Sequence, residues 1–155
     1  MTGDFVDRYG FLFEHSPWVA ERASRLAGAD LHARLMQVVA DASDDERLGL
    51  LRAHPELAGK AAVDRTLTSA SAAEQASAGL DRLTPQEFDE FHVLNAAYSA
   101  RFGFPFIICV RQTDKAGILA AMQGRLGNDP VVERAIALGQ VGKIVRLRLD
   151  ALGEP

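Results

Sequence analysis

The sequence predicts an all-α fold, a single bundle of about seven to eight helices spanning residues 1–155. Three observations lead there. Three Ser/Thr-x-x-Glu patterns, Ser43 to Glu46, Ser71 to Glu74 and Thr84 to Glu87, read as capping boxes that open helices. Apolar residues through most of the chain recur at helical spacing. The one short apolar run rich in isoleucine and valine, 106–111, has no clear partner strand and is expected as an extended segment.

The elements follow in order. Phe5, Tyr9, Leu12 and Phe13 share a helical spacing and predict a first helix over 4–14. Ser16-Pro17 restarts the chain: serine caps well, and proline suits the first helical position, where its missing N–H is not needed. The second helix is expected over 17–26, ending near Gly28. A third, over 31–42, places Leu31, Leu35, Val38 and Val39 on one face. The Ser43 box opens a fourth, which His54-Pro55 ends because proline disfavours helical geometry in the residue before it. The Ser71 box opens a short helix that Gly79 stops. The Thr84 box opens a long one over 85–101, with Phe88, Phe91, Leu94, Asn95 and Tyr98 on one side and Gly103 and Pro105 as breakers. Asp114 caps a helix over 115–126, and Asn128-Asp129-Pro130 turns into a last helix over 131–152. No repeat, linker or low-complexity segment interrupts the pattern.

Composition narrows the function classes. With 48% apolar and 25% charged residues the chain is globular in type. The single cysteine, Cys109, cannot form an internal disulfide, which fits a reducing compartment. No signal pattern or apolar stretch of roughly 20 residues is present, so a cytoplasmic protein without a membrane partner is expected. The net charge of −4 and the absence of a basic block argue against nucleic acid.

No metal motif is visible. Histidines stand at 15, 32, 54 and 92, never three or four apart, and there is no nucleophile elbow or phosphate loop. Cys109, in an apolar run, reads as an inert buried thiol. His54 has two readings. It can interact with the terminal carbonyls of its helix, or serve as a general acid or base. Glu74 can be the back-reaching member of a capping box or a functional acid. Gln75 is not needed by that cap, and the first turn it would share offers free N–H groups. Arg111 can be solvated or can bind a carboxylate in bidentate fashion. His15 reads as a helix-junction residue. Spacing alone leaves all of these open.

Four motifs, in order, carry a resemblance. They are Phe13-Glu-His-Ser-Pro-Trp-Val-Ala-Glu21, Arg52-Ala-His-Pro-Glu-Leu-Ala-Gly-Lys60, Ser71-Ala-Ala-Glu-Gln-Ala-Ser-Ala-Gly-Leu80 and the stretch from Leu94-Asn-Ala-Ala-Tyr98 to Phe102-Gly-Phe-Pro-Phe-Ile-Ile-Cys-Val-Arg111. Over about residues 5–152 the chain resembles the OHCU decarboxylase family, OHCU being 2-oxo-4-hydroxy-4-carboxy-5-ureidoimidazoline. The resemblance implies an all-α homodimer that needs no metal or organic cofactor and converts OHCU to (S)-allantoin, the last step from urate. It places the catalytic histidine at His54, beside Pro55, and the acid and amide at Glu74 and Gln75, with Ser71 opening that motif. It makes Phe102, Gly103, Phe104, Pro105, Phe106 and Ile108 walls for substrate, and matches Arg148 to a substrate-facing arginine. Two departures stand out: Leu138-Gly-Gln140 replaces acidic residues usual in the last helix, and 24–31 is short of aromatics. The rival expectations are an enzyme acting on another ureido compound and a non-catalytic helical interaction module, in which His54, Glu74 and Arg111 would diverge in space.

Overall fold

Three caps fix where the chain turns into the helices that carry the site. The computed structural model describes residues 2–59 and 66–153. The irregular connection expected across 60–65 lies outside the described residues. Among them are eight α-helices: α1 Thr2–Tyr9, α2 Trp18–Ala23, α3 Leu31–Asp41, α4 Asp44–Arg52, α5 Ser69–Ser77, α6 Pro85–Phe102, α7 Lys115–Arg125 and α8 Pro130–Ala151. Two 3-10 turns, Gly10–Leu12 and Val110–Gln112, complete the order. No strand occurs among the described residues, and none of these helices is long and apolar enough to cross a membrane.

The Ser43 and Thr84 boxes form in full, each hydroxyl accepting from the N3 amide and each N3 glutamate from the cap amide. Asp114 and Asp129 cap α7 and α8 through their carboxylates. α6 ends at Gly103, whose φ of +80° is left-handed and suits a residue without Cβ. The last helix is the centre of the core. Ala137, Val141, Val145 and Leu149, four apart, are fully buried, and α8 packs on α3 and α6.

Four expectations need correction. The first helix stops at Tyr9; Gly10–Leu12 tightens to a 3-10 turn and Phe13 is extended, which turns the Phe11 and Leu12 carbonyls toward α8. Ser16 does not cap α2. Pro17 holds that position, and the Ser16 hydroxyl donates to the Glu14 carbonyl instead. The Ser71 box does not form: Thr68 caps α5 by accepting from the Ser71 amide, and its hydroxyl also donates to Glu14. That distant contact chooses between two equally good local caps. It moves Glu74 and Gln75 out of the first turn and into the helix interior. Phe88 is 38% exposed and lies off the core side of α6, beside a groove lined by Leu80 and Leu83.

Two glycines give a test of opposite signs. Gly139 is exposed in the interior of α8 with open space where a Cβ would sit. Gly139→Ala should stabilise the fold by about 1 kcal/mol in urea unfolding. Gly103→Ala, forced into the left-handed region, should cost about 1–2 kcal/mol.

Candidate active site

A buried guanidinium organises the site. Arg148, 5% exposed on α8, is surrounded by acceptors from three other segments. Its Nε donates to Glu74 Oε2 at 2.7 Å and its Nη2 to Glu74 Oε1 at 2.8 Å, a bidentate pair with α5. Nη2 also reaches Glu14 Oε1 at 2.8 Å and Ser71 Oγ at 3.3 Å. Nη1 donates to the Phe11 carbonyl at 3.0 Å and the Leu12 carbonyl at 3.4 Å. All three nitrogens are therefore committed to the protein. Glu14 completes the cluster, accepting from Ser71 Oγ at 2.6 Å and from Thr68 Oγ1. Burial works to raise the Glu14 pKa, but the Ser71 hydroxyl and the Arg148 charge outweigh it and hold the carboxyl below its ordinary value. Arg148 is shifted upward, because the two glutamates outweigh the burial that works to lower it.

His54 sits just past α4. Its Nδ1 lies 3.0 Å from the Leu50 carbonyl, an arrangement that assigns the proton to Nδ1 and leaves Nε2 as the basic nitrogen. Burial dominates its environment and holds its pKa below 6.5, so the ring is neutral at pH 7. The loop after it is held by two side-chain amides. Gln75 Oε1 accepts from Ala58 N at 3.0 Å, and its Nε2 donates to the Glu56 carbonyl at 3.3 Å. Asn95 Nδ2 on α6 donates to the Leu57 carbonyl at 2.9 Å. Ala58 has a φ of +55°, so this loop keeps an uncommon backbone conformation.

These groups close one side of a cavity with about 490 Å³ of empty space, counting its open mouth. His54, Pro55, Ser71, Glu74, Gln75, Arg111 and Arg148 line it, and Phe106, Ile108 and the rest of 106–110 supply an apolar wall. His54, Glu74 and Arg111, which an interaction module would scatter, thus face one space. Gln75 reaches the wall, but its amide is bonded to backbone. Phe102, Gly103, Phe104 and Pro105 do not line this cavity. Phe102 and Phe104 pack around Tyr98, with ring centroids 4.6 and 5.8 Å away, and Gly103, Phe104 and Pro105 border a separate surface depression that His54 also lines. The apolar rings go to the core because burial is worth more there than at an open rim. His15, with a left-handed φ of +50° and an exposed side chain, lies at the α1–α2 junction and does not line the cavity.

Cys109 also lines the cavity. Burial pushes its thiol above its ordinary value, as an inert thiol requires. No group of three or more His, Cys, Asp or Glu is arranged to hold a metal among the described residues. Sequence reasoning missed Glu14 as a member of the site. Its only signal was its place inside the Phe13 to Glu21 motif, since its partner Arg148 is 134 residues away in sequence.

The comparisons agree along the whole chain. The OHCU decarboxylase family model matches residues 1–150. A 2-oxo-4-hydroxy-4-carboxy-5-ureidoimidazoline decarboxylase of Haloferax volcanii is 45% identical over 94% of this chain and 86% of its own length. One from Halalkalicoccus jeotgali is 42% identical over 97% and 86%. The uric acid degradation bifunctional protein PucL of Bacillus subtilis is 38% identical over 96% of this chain, which spans 30% of that longer protein. A crystal structure of (S)-allantoin synthase superposes with a TM-score of 0.73 at 31% identity, covering 97% of this chain and 50% of that one. A crystal structure of OHCU decarboxylase in the presence of (S)-allantoin, at 24% identity, shares the fold with a TM-score of 0.75, over 94% of this chain and 96% of that one. With relatives this similar over nearly their full length, the chain belongs to the OHCU decarboxylase family.

Proposed function

We propose that this protein decarboxylates OHCU to (S)-allantoin and CO2 without an added cofactor, as a cytoplasmic homodimer. The observation that carries the reading is the convergence of His54, Glu74 and Arg148, from three separate segments, on one cavity. The substrate supplies its own electron sink. OHCU bears a carboxylate and a hydroxyl on C4, next to a ring C5=N bond. As CO2 leaves, the C4–carboxyl bonding pair becomes a C4=C5 double bond, and the C=N pair moves to nitrogen, which takes a proton. The resulting enol becomes allantoin when C5 gains a proton and the C4 hydroxyl loses one. One proton is taken up per turnover.

The protein's tasks are to orient the ring, to receive the hydroxyl proton and to place a proton on one face of C5. Neutral His54, with Nε2 as base, takes the hydroxyl proton and returns one to C5. Glu74, fixed by Arg148, presents its remaining lone pairs to the ureido N–H groups. Among the described residues the N–H and C=O of Ile108 have no hydrogen-bond partner, and they suit the ring's polar edge. Arg148 has no N–H to spare, so the carboxylate falls to Arg111. That residue is exposed on the cavity lining, and its guanidinium has no salt-bridge or hydrogen-bond partner among the described residues. A carboxylate on Arg111 leaves the apolar wall of Ile107 and Ile108 to the departing CO2.

Generating OHCU in situ from urate and following the circular dichroism of allantoin tests the reading. Fast, optically pure product is expected; slow, optically inactive product would end it. His54→Asn should lower turnover by about 100-fold or more with the helical spectrum intact. For the intact enzyme kcat/KM should fall on the acid side with a midpoint below 6.5, because protonated His54 cannot accept the hydroxyl proton. Fold stability should fall over the same range. The buried ring's pKa is lower than that of the unfolded chain, so acid favours the unfolded state as pH drops below about 6.5.

The two arginines separate cleanly. Arg111→Met should raise KM by about 10-fold or more with little change in melting temperature, as expected for losing a charge-assisted contact. Arg148→Met should instead cost about 3–5 kcal/mol of stability at pH 7, because it strands two buried carboxylates. Light scattering of the purified protein should give twice the mass of one chain.

A further inference from the structure

A second buried ion pair stands behind the cavity wall and belongs to none of the roles above. Glu133, in the first turn of α8, is fully buried. Arg125, the last residue of α7, places Nε and Nη2 on Glu133 Oε2 at 2.8 and 2.6 Å. The Tyr98 hydroxyl donates to the same oxygen, and Asn128 Nδ2 donates to Oε1 at 3.0 Å. The remaining Arg125 nitrogen, Nη1, leaves the cluster and donates to the Ile107 carbonyl at 2.8 Å. The guanidinium also covers the Phe106 ring, 4.3 Å from its centroid, while Tyr98 meets that ring edge-on at 5.3 Å. Phe106 and Ile107 both line the cavity.

Stability alone does not call for this arrangement. A buried ion pair can often be replaced by apolar residues of similar volume without loss. What only arginine supplies is a planar fork that pairs with a carboxylate, reaches a backbone carbonyl and stacks on a ring at once. We propose that Arg125 is a positioning residue: locked by Glu133 and Tyr98, it holds Phe106 and Ile107 so that the wall facing His54 keeps one shape. The extended segment needs such a hold because it has no sheet neighbour to fix its register. Burial, and then the bond to Glu133, pushes the Tyr98 phenol well above its ordinary range, so the hydroxyl stays a donor across the working pH range.

Arg125→Lys tests this, since lysine keeps the charge opposite Glu133 but cannot also grip the carbonyl and cover the ring. Tyr98→Phe, which spares the ring packing, is the second variant and decides the matter if Arg125→Lys does not fold. Thr84→Ala, at the far cap of α6, serves as a destabilised control. Three quantities are read: kcat with KM for OHCU, the optical purity of the allantoin, and the labelling rate of Cys109, the one thiol, by a small neutral reagent. Expected are a kcat lower by about 10-fold or more, as a displacement on the order of 1 Å produces, a mixed product, and Cys109 labelling several-fold faster than in the control. Wild-type kcat and optical purity overturn the proposal, whether or not labelling changes, and so does labelling no faster than the control. The kinetic arm rests on the decarboxylase reading. If the wild-type protein itself makes no (S)-allantoin, that reading fails, and the labelling comparison alone decides the clamp.

Discussion

A guanidinium cannot be taken out of water unless its N–H groups find acceptors, and that constraint on Arg148 shapes this end of the molecule. The cost of burying an unpaired ion is several kcal/mol even after relaxation. The fold meets it with acceptors from three places: Glu74 and Ser71 on α5, the Glu14 carboxylate, and the Phe11 and Leu12 carbonyls. Each acceptor fixes a piece of backbone. The carbonyls are available only because the first helix gives way to a 3-10 turn at Gly10. Ser71 and Glu74 are aimed correctly only because α5 begins at Thr68, three residues before the other cap available to it. A local departure from the simplest helix pattern thus occurs at both places where the charge needs a partner.

The loop carrying His54 is set by a different device. Three backbone groups in a row, the Glu56 and Leu57 carbonyls and the Ala58 amide, are bonded to carboxamides from α5 and α6. Alanine in the left-handed region costs on the order of 1–3 kcal/mol and persists only where its surroundings over-determine it. Gln75 and Asn95 supply that over-determination. Gln75 therefore differs from the sequence expectation in kind. It belongs to the site through the backbone it holds, with both polar atoms already occupied.

What the sequence made legible divides along the same line. Caps that act within four residues were readable at Ser43, Thr84 and Asp114, and each forms; Asp129, read only as part of a turn, caps the last helix as well. His54 and Glu74 stood as open candidates from their residue types, whereas Arg148 was reachable only through whole-motif resemblance, because its contacts span most of the chain. The Ser71 box failed because a contact between Thr68 and Glu14, 54 residues apart, chose the other cap. Phe102 and Phe104, expected as walls for substrate, pack around Tyr98. Hydrophobic pattern reports that a ring will be buried; it does not report against which neighbour. Glu133 illustrates the same limit. In the first turn of a helix it looks like a solvated, dipole-favoured acid, and nothing local announces that Arg125 and Tyr98 enclose it.

The apolar wall shows why an all-helical protein keeps an extended segment at its cavity. The run 106–110 is apolar in every side chain, so any polar recognition it offers must come from backbone. In a sheet those groups would be used up by a neighbouring strand. Here four of them are bonded one at a time: Ile107 O by Arg125, Cys109 N by Gln140, and the Cys109 and Val110 carbonyls by the 3-10 turn. Neither backbone group of the half-buried Ile108 is bonded among the described residues, which leaves that peptide open to a polar ring in the cavity beside it. Gln140 thereby gains a reason that its sequence context hides: the amide that interrupts the expected acidic pattern of the last helix is what accepts from the Cys109 amide at the cavity lining.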